Sequence, residues 1–390
     1  MADARIDIAV FGGGIVGLWT LARLRAAGYA ACLFENDALG GGQTLASQGI
    51  IHGGTKYALT GKLTGSAMAI GEMPAIWRAA LAGTGEIDLS AVRLLAEHQY
   101  LWSSGSLASG MAGFFAAKVM QSRMQALPSR DYPAPFDAPQ FRGSVYRLDE
   151  PVLDNASLVQ ALAEQVSDAC YAIRGSSFER LASGWKVSLS DEVAIEAKAV
   201  VLAAGKGNAG LLAAAGRNRP RMQTRPLHML MLRGHLPALY AHCLGASANP
   251  RLTITSYPEP DGRVVWYLGG QVAEEGVGRT PAEQIAAGKA ELAELLPWVD
   301  AGNVEWATLP IDRAEVATPG GKRPDDAYVD HDDRIITCWP TKLAFAPRVA
   351  SLVLDALVAA DVAPGPAVAQ LSLPRPPVGE LPWHGVSTWN

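Results

Sequence analysis

Asp7-Ile8-Ala9-Val10-Phe11-Gly12-Gly13-Gly14-Ile15-Val16-Gly17 is the stretch on which the fold turns. Asp7 to Phe11 is a short apolar run suited to a strand covered on both faces. It enters a Gly12-x-Gly14-x-x-Gly17 turn, after which Leu18, Leu21, Ala22 and Leu24 recur at helical spacing as far as Gly28. A second apolar run, Ala31 to Phe34, ends in Glu35. In such a unit the glycines permit a tight turn, close backbone approach to a pyrophosphate, and close helix–strand packing. The pyrophosphate lies at the positive end of the helix, over backbone N–H groups that have no intrahelical partner. Glu35 stands where a carboxylate accepts hydrogen bonds from a ribose, which favours a free 2′-hydroxyl and disfavours NADP. Glycine-rich loops alone are common. Strand, turn, helix, strand and terminal acid in register specify a dinucleotide site, with Gly12, Gly14, Ile15, Val16, Gly17 and Glu35 as its expected contacts.

The chain has 390 residues, too many for one simple core and suited to two domains. Hydrophobic residues at 49% and charged residues at 18% describe an ordered globular protein. A net charge of -5 argues against a nucleic-acid partner and leaves any grip on an anionic substrate to local cations. Cys32, Cys170, Cys243 and Cys338 are widely spaced, so neither a disulfide framework nor a metal site follows from them. The charged N-terminus runs directly into the first strand, with no signal peptide, and no apolar run approaches ~20 residues. The expected location is the cytoplasm, with peripheral membrane contact left open.

Further along, Gly40-Gly41-Gly42-Gln43-Thr44 and Ser47-Gln48-Gly49 form a glycine-rich passage. Periodicity predicts helices over 63–81, 106–127 and 154–166, and a strand over 92–102. The four prolines of 128–139 demand a loop. Ser183-Gly184 separates the arms of a hairpin over 178–189, and Ala199 to Ala203 is a buried-strand run ending in Ala204-Gly205. Arg217, Arg219, Arg221 and Arg225 read as a solvated basic linker, with Arg225 the one expected to point inward because it abuts a strand, before strands over 227–232, 252–256 and 264–268. Thr280-Pro281-Ala282-Glu283 is a capping box that opens a helix to about 295. A last strand over 335–339 precedes Pro340-Thr341-Lys342, a helix to about 359, and a proline-rich extended tail. The predicted class is α/β (α+β overall). A Rossmann-type dinucleotide-binding domain is assembled from separated segments (1–90, 150–222 and 318–390). A mixed-sheet substrate domain (91–149 and 223–317) is inserted between them.

Four islands occur in an order that resembles one flavoenzyme superfamily. They are the N-terminal cradle, Ser47 through His52-Gly53-Gly54-Thr55-Lys56-Tyr57, Val200 through Gly205, and Trp339-Pro340-Thr341-Lys342-Leu343. The superfamily is that of D-amino acid oxidase, sarcosine oxidase and glycerol-3-phosphate dehydrogenase. The His-Gly-Gly-x-basic-Tyr form is most similar to the FAD-dependent glycerol-3-phosphate dehydrogenases. The resemblance implies FAD, held non-covalently. It adds Gly42, Gln43, Thr44, Ser47, Gln48, Gly49, Ala204, Gly205, Pro340, Thr341, Lys342 and Leu343 to the cofactor contacts. Positive charge around Lys342 and the following helix N-terminus would stabilise anionic reduced flavin.

The same resemblance makes His52 the proton acceptor or orienting group beside the flavin, against a plain reading as a buried loop-holding histidine. Lys56 replaces the family's arginine and is expected to hold the substrate's carboxylate or phosphate, against a plain reading as a solvated lysine; as a point charge without a fork it leaves the substrate open. Arg313 is expected to grip an acid group, with an ion pair to Asp312 as the structural alternative. Tyr257, Trp266 and Tyr267 read as core. The expected activity is hydride transfer from a C–H bearing OH or NH of a small acidic substrate, a hydroxy acid or polyol phosphate, to flavin N5. Oxygen or a quinone would be the final acceptor. An amino-acid or amine oxidase, an NAD-dependent dehydrogenase, and a flavin-binding subunit without turnover are the competing readings.

Overall fold

The computed structural model describes residues 4–54, 65–103, 124–244, 249–366 and 371–390. Ala4–Phe11, Ala31–Glu35, Cys170–Ala172, Ala194–Leu202 and Ile335–Trp339 lie parallel in one sheet, where Tyr328–Asp332 adds an antiparallel edge. The sheet begins from the opening stretch for a simple reason. Ile8, Ala9, Val10 and Phe11 are all buried, as a strand covered on both faces must be. Helices Ile15–Ala26 and Ala346–Ala359 pack together beside it, and the hairpin Ser177–Leu181/Gly184–Ser188 extends it. Asp7, only 3% exposed, anchors the start of this layer: it accepts N–H groups from Ala30 and Gly365 at 2.8 Å and pairs with Lys198 at 2.7 Å.

The second sheet runs Glu305–Val316, Met222–Gly234, Val264–Gly269, Leu252–Pro258, Ala241–Cys243, Gln99–Ser103, Ser144–Leu148, Met124–Ala126. Its contacts are antiparallel except for the junction of Ala241–Cys243 with Gln99–Ser103. Helix Pro281–Leu295, opened by the capping box of Thr280 and Glu283, covers one of its faces through Ile285, Leu292 and Leu295. The architecture is therefore the expected one: a dinucleotide-type α/β sheet with a second, mixed sheet built from inserted segments.

Three local expectations change. Of the helix read over 106–127, only 124–126 falls among the described residues, and it is a strand because Met124 to Ala126 pair with Tyr146 to Leu148. Strand Met222–Gly234 is far longer than the run read over 227–232, and Glu305–Val316 is a strand that the sequence reading did not include, with Pro310 tolerated inside it because it is a sheet edge. The basic linker is also not uniformly solvated. Arg217 pairs with Asp332 and Asp333, and Arg225 lies within a strand and grips Glu315, while Arg219 and Arg221 remain exposed.

Candidate active site

Every expected cofactor contact except Gly17 lines one cavity of about 760 Å³ that also reaches the second sheet. The lining takes Gly12, Gly14, Ile15, Val16 and Glu35 from the opening unit. Gly42, Gln43, Thr44, Ser47, Gln48 and Gly49 come from the glycine passage, and Ala204, Gly205, Pro340, Thr341, Lys342 and Leu343 from the strand ends beyond. Gly12 has φ +104°, and a Cβ there would lie 2.5 Å from Ala204 Cα. A Cβ on Gly17 would lie 1.8 Å from the Gly12 carbonyl oxygen, so Gly17 serves the cradle by packing beneath it. Gly14 caps helix Ile15–Ala26 without a side chain, and the Ile15 N–H donates to Thr44 Oγ1 at 2.9 Å. Glu35 is fixed on the wall: its Oε2 accepts from Gly13 N–H, and its Oε1 from Asn36 and Asp37 N–H at 2.8 and 2.9 Å.

The side chains of the glycine passage have tasks the sequence did not reveal. Gln43 Oε1 accepts from Ala314 N–H at 3.0 Å, and Gln48 Nε2 donates to the carbonyls of Tyr267 and Thr253 at 2.9 and 3.3 Å. Ser47 Oγ accepts from Asn155 Nδ2 at 3.0 Å. These groups fix the loop to its surroundings, so its contribution to a ligand comes through glycine backbone and hydroxyls. Asn208 clamps the strand ends on the far side, accepting from Ala204 N–H at 2.7 Å and donating to Cys338 O at 3.0 Å. Thr341 lies in the left-handed region at φ +58°, and its buried Oγ1 has no hydrogen-bond partner among the described residues. A helix N-terminus capped by glycine, a Cβ-free turn and a buried hydroxyl on one cavity fit FAD.

The substrate-side candidates meet this cavity at its other end. His52 lines it and carries its Nδ1 3.2 Å from Glu150 Oε2. Glu150, 3% exposed, also accepts from Gly53 N–H at 2.8 Å and from the side-chain amide of Gln99. The buried His242 stacks on His52 with centroids 5.7 Å apart and 20° between planes, and its Nδ1 meets Thr253 Oγ1 at 2.7 Å. Among the described residues, His52, Glu150 and His242 each bring a possible metal-ligand atom within 4.8 Å of the others, a grouping that cysteine and histidine spacing could not show. Glu150, Gln99 and His242 are the functional candidates the sequence reading missed. They sit on separate segments, without a motif: Gln99 and His242 come from strands of the second sheet, and Glu150 from a segment that pairs with Gly49 to Ile51.

Arg313 also lines the cavity. Its Nε donates to Arg225 O at 3.1 Å, and the carboxylate beside its Nη2 is Glu274 at 3.6 Å. Asp312 is not its ion-pair partner, because that carboxylate pairs with Lys206. Burial, then the charges of Arg225 and Arg323, pushes the Arg313 guanidinium down from its ordinary value. A guanidinium cannot practically discharge, so Arg313 remains a cation in the cavity wall, with Glu274 and Glu315 as the acidic groups that act on it. Arg225 is already held by both oxygens of Glu315, at 2.8 and 3.0 Å. Lys56 lies outside the described residues. Tyr257, Trp266 and Tyr267 are buried, as their core reading required.

A family described as "FAD dependent oxidoreductase" matches residues 7–334. A probable FAD-dependent oxidoreductase of Pseudomonas aeruginosa is 49% identical over 382 residues, covering 97% of each chain. The crystal structure of an FAD-dependent oxidoreductase from that organism superposes with TM-score 0.85 at 44% identity, over 97% of this chain and 98% of that one. Glycine oxidase from Geobacillus kaustophilus shares the fold at TM-score 0.61 and 19% identity, over 90% and 94% of the two chains. L-alpha-glycerophosphate oxidase from Mycoplasma pneumoniae, solved with FAD bound, does so at TM-score 0.62 and 14% identity, over 91% and 95%.

Proposed function

Because the chain belongs to the family of FAD-dependent oxidoreductases, we propose that it oxidises a carbon bearing a hydroxyl on a small acidic substrate, a hydroxy acid or polyol phosphate. The observation that carries this reading is the shared cavity. His52 and Arg313 open onto the same space as Gly12, Gly14 and the Pro340–Leu343 segment. Bound FAD supplies the hydride acceptor at N5.

The residues of this chain divide the remaining tasks. Gly12, Gly14 and the N-terminus of helix Ile15–Ala26 would hold the pyrophosphate of FAD, Glu35 its ribose, and Pro340 to Leu343 its flavin end. Arg313 holds the acid group of the substrate. His52 takes the proton of the reacting hydroxyl. A hydroxyl needs a proton acceptor in the transition state more than a neutral amine does, and the carboxylate behind His52 suits that demand. The 223–317 segment thus carries substrate contacts, and the dinucleotide sheet carries the cofactor.

The test is anaerobic reduction of the purified yellow protein, followed as loss of flavin absorbance. Hydroxy acids and polyol phosphates are compared with amino acids and amines. Bleaching by the hydroxyl panel is the expected result. Bleaching by amines alone would replace this reading with that of an amine oxidase, and bleaching by neither would leave a binding subunit. Acid denaturation should release the flavin from the chain.

A further inference from the structure

The geometry points to Glu150 as a positioning residue that fixes which nitrogen of His52 carries hydrogen. The inference rests on the proposed role of His52 and adds the device that prepares it.

Backbone pairing places the two residues side by side. Ile51 N–H donates to Pro151 O, and Leu153 N–H donates to Gly49 O, each at 2.9 Å. Ile50 and Val152 form an antiparallel bridge between the same segments. His52 and Glu150 are therefore neighbours by construction of the main chain. The carboxylate is then surrounded by donors. Gly53 N–H donates into Oε1 at 2.8 Å, and the Gln99 side-chain amide donates into Oε2. A main-chain N–H cannot reverse its role, and a carboxylate bound this way is an ionised acceptor. The contact from His52 Nδ1 to Oε2 at 3.2 Å is accordingly Nδ1–H donating, which assigns the proton-accepting lone pair to Nε2. His52 is 30% exposed at its side chain, Glu150 only 4%. The acceptor edge thus belongs to the cavity side and the holding group to the interior. An ionised partner also steadies the imidazolium once a proton arrives.

The alternative use of this cluster is a metal site, and the local chemistry opposes it. The Glu150 oxygens already meet N–H groups from Gly53, Gln99 and His52, and His242 Nδ1 is engaged by Thr253. The two imidazole planes lie 20° apart with centroids separated by 5.7 Å, so the rings also pack on each other. Among the described residues, Glu150 and His242 are titratable groups that face His52.

The experiment uses the FAD-loaded full chain with nitrogen-15 histidine, of which there are seven. Long-range proton–nitrogen spectra distinguish Nδ1–H from Nε2–H imidazole, and the His52 signals are those lost in His52→Asn. Wild type should show His52 as the Nδ1–H form. In Glu150→Ala that preference should disappear and the His52 titration midpoint fall by about one pH unit. Glu150→Asp should restore part of both. If Glu150→Ala does not fold with FAD, Glu150→Gln is read in its place. The substrate probe is whichever member of the hydroxyl or amine panels bleaches wild type. Glu150→Ala should slow that bleaching about 10- to 100-fold, and the double variant with His52→Asn should be no slower than His52→Asn alone. An unchanged tautomer and midpoint in the Glu150 variants overturns the inference. So does a stoichiometric shift of the His52 signals on adding zinc ion alone, which would make the cluster a metal site. A tautomer change with bleaching indifferent to His52→Asn refutes the role of His52 but leaves the hold of Glu150 standing.

Discussion

Gly17→Ala tests the cradle most directly, because one methyl group has nowhere to go. The added Cβ would stand 1.8 Å from Gly12 O and 3.0 Å from Gly12 C. Relief requires the Gly12 carbonyl to retreat by roughly 1.5 Å to reach ordinary contact. That retreat is blocked. Gly12 N–H is bonded to Phe34 O at 2.9 Å, Ala203 N–H to Phe11 O at 2.8 Å, and Gly12 itself is closely backed by Ala204. The substitution therefore falls at the upper end of overpacking, about 3 kcal/mol. Borne by the FAD-bound state, that is roughly a hundredfold rise in Kd. The assay is fluorescence titration of apoprotein with FAD, with flavin-to-protein ratio after purification as a second reading. Gly175→Ala is the control, since a Cβ there meets nothing within 4 Å. Binding by Gly17→Ala within threefold of wild type would refute the packing argument for the cradle.

Other outcomes follow from the same contacts. Arg313→Ala should lower kcat/KM for an anionic substrate by about thirtyfold, the equivalent of ~2 kcal/mol of charge-assisted hydrogen bonding, and Arg313→Lys should recover only part of it. Thr44→Val removes the acceptor of the Ile15 N–H; denaturant melts should show a loss of about 1 kcal/mol. Asp7→Asn weakens a buried node joining Ala30, Lys198 and Gly365. It should destabilise by about 2 kcal/mol while leaving flavin content unchanged. Burial pushes the thiols up, Cys32 to about 11 and Cys170, Cys243 and Cys338 to about 12. At pH 8 the native protein should show no rapid reaction with an aromatic disulfide reagent, and four thiols should appear on denaturation.

The dinucleotide half was legible because its signals are local. Glycine spacing, a buried strand and an acid at a strand end are each set by a few adjacent residues, and so was the capping box at Thr280. The second sheet was harder to read. Glu305–Val316 hides behind Pro310, which an edge strand tolerates, and the short strands around Ala241–Cys243 lack an alternating pattern long enough to register. His52 and Arg313 could be singled out, since their neighbours were distinctive. Their partners could not: Glu150 reaches His52, Gln99 reaches Glu150, and Glu274 reaches Arg313, only through long-range pairing. A sequence can mark a reactive side chain, but its environment is contributed by residues elsewhere in the chain.

The anchoring of the glycine passage has a thermodynamic consequence. Gln43 is tied to the amide of Ala314, the residue next to Arg313, and Gln48 to the carbonyls of Thr253 and Tyr267. A ligand that orders this loop therefore orders the strands bearing the substrate-side groups. Linkage makes the effect mutual: an anion bound at Arg313 should tighten FAD by the same factor by which FAD tightens the anion. On the proposed roles of the two ends, replacing both glutamines should weaken that mutual tightening.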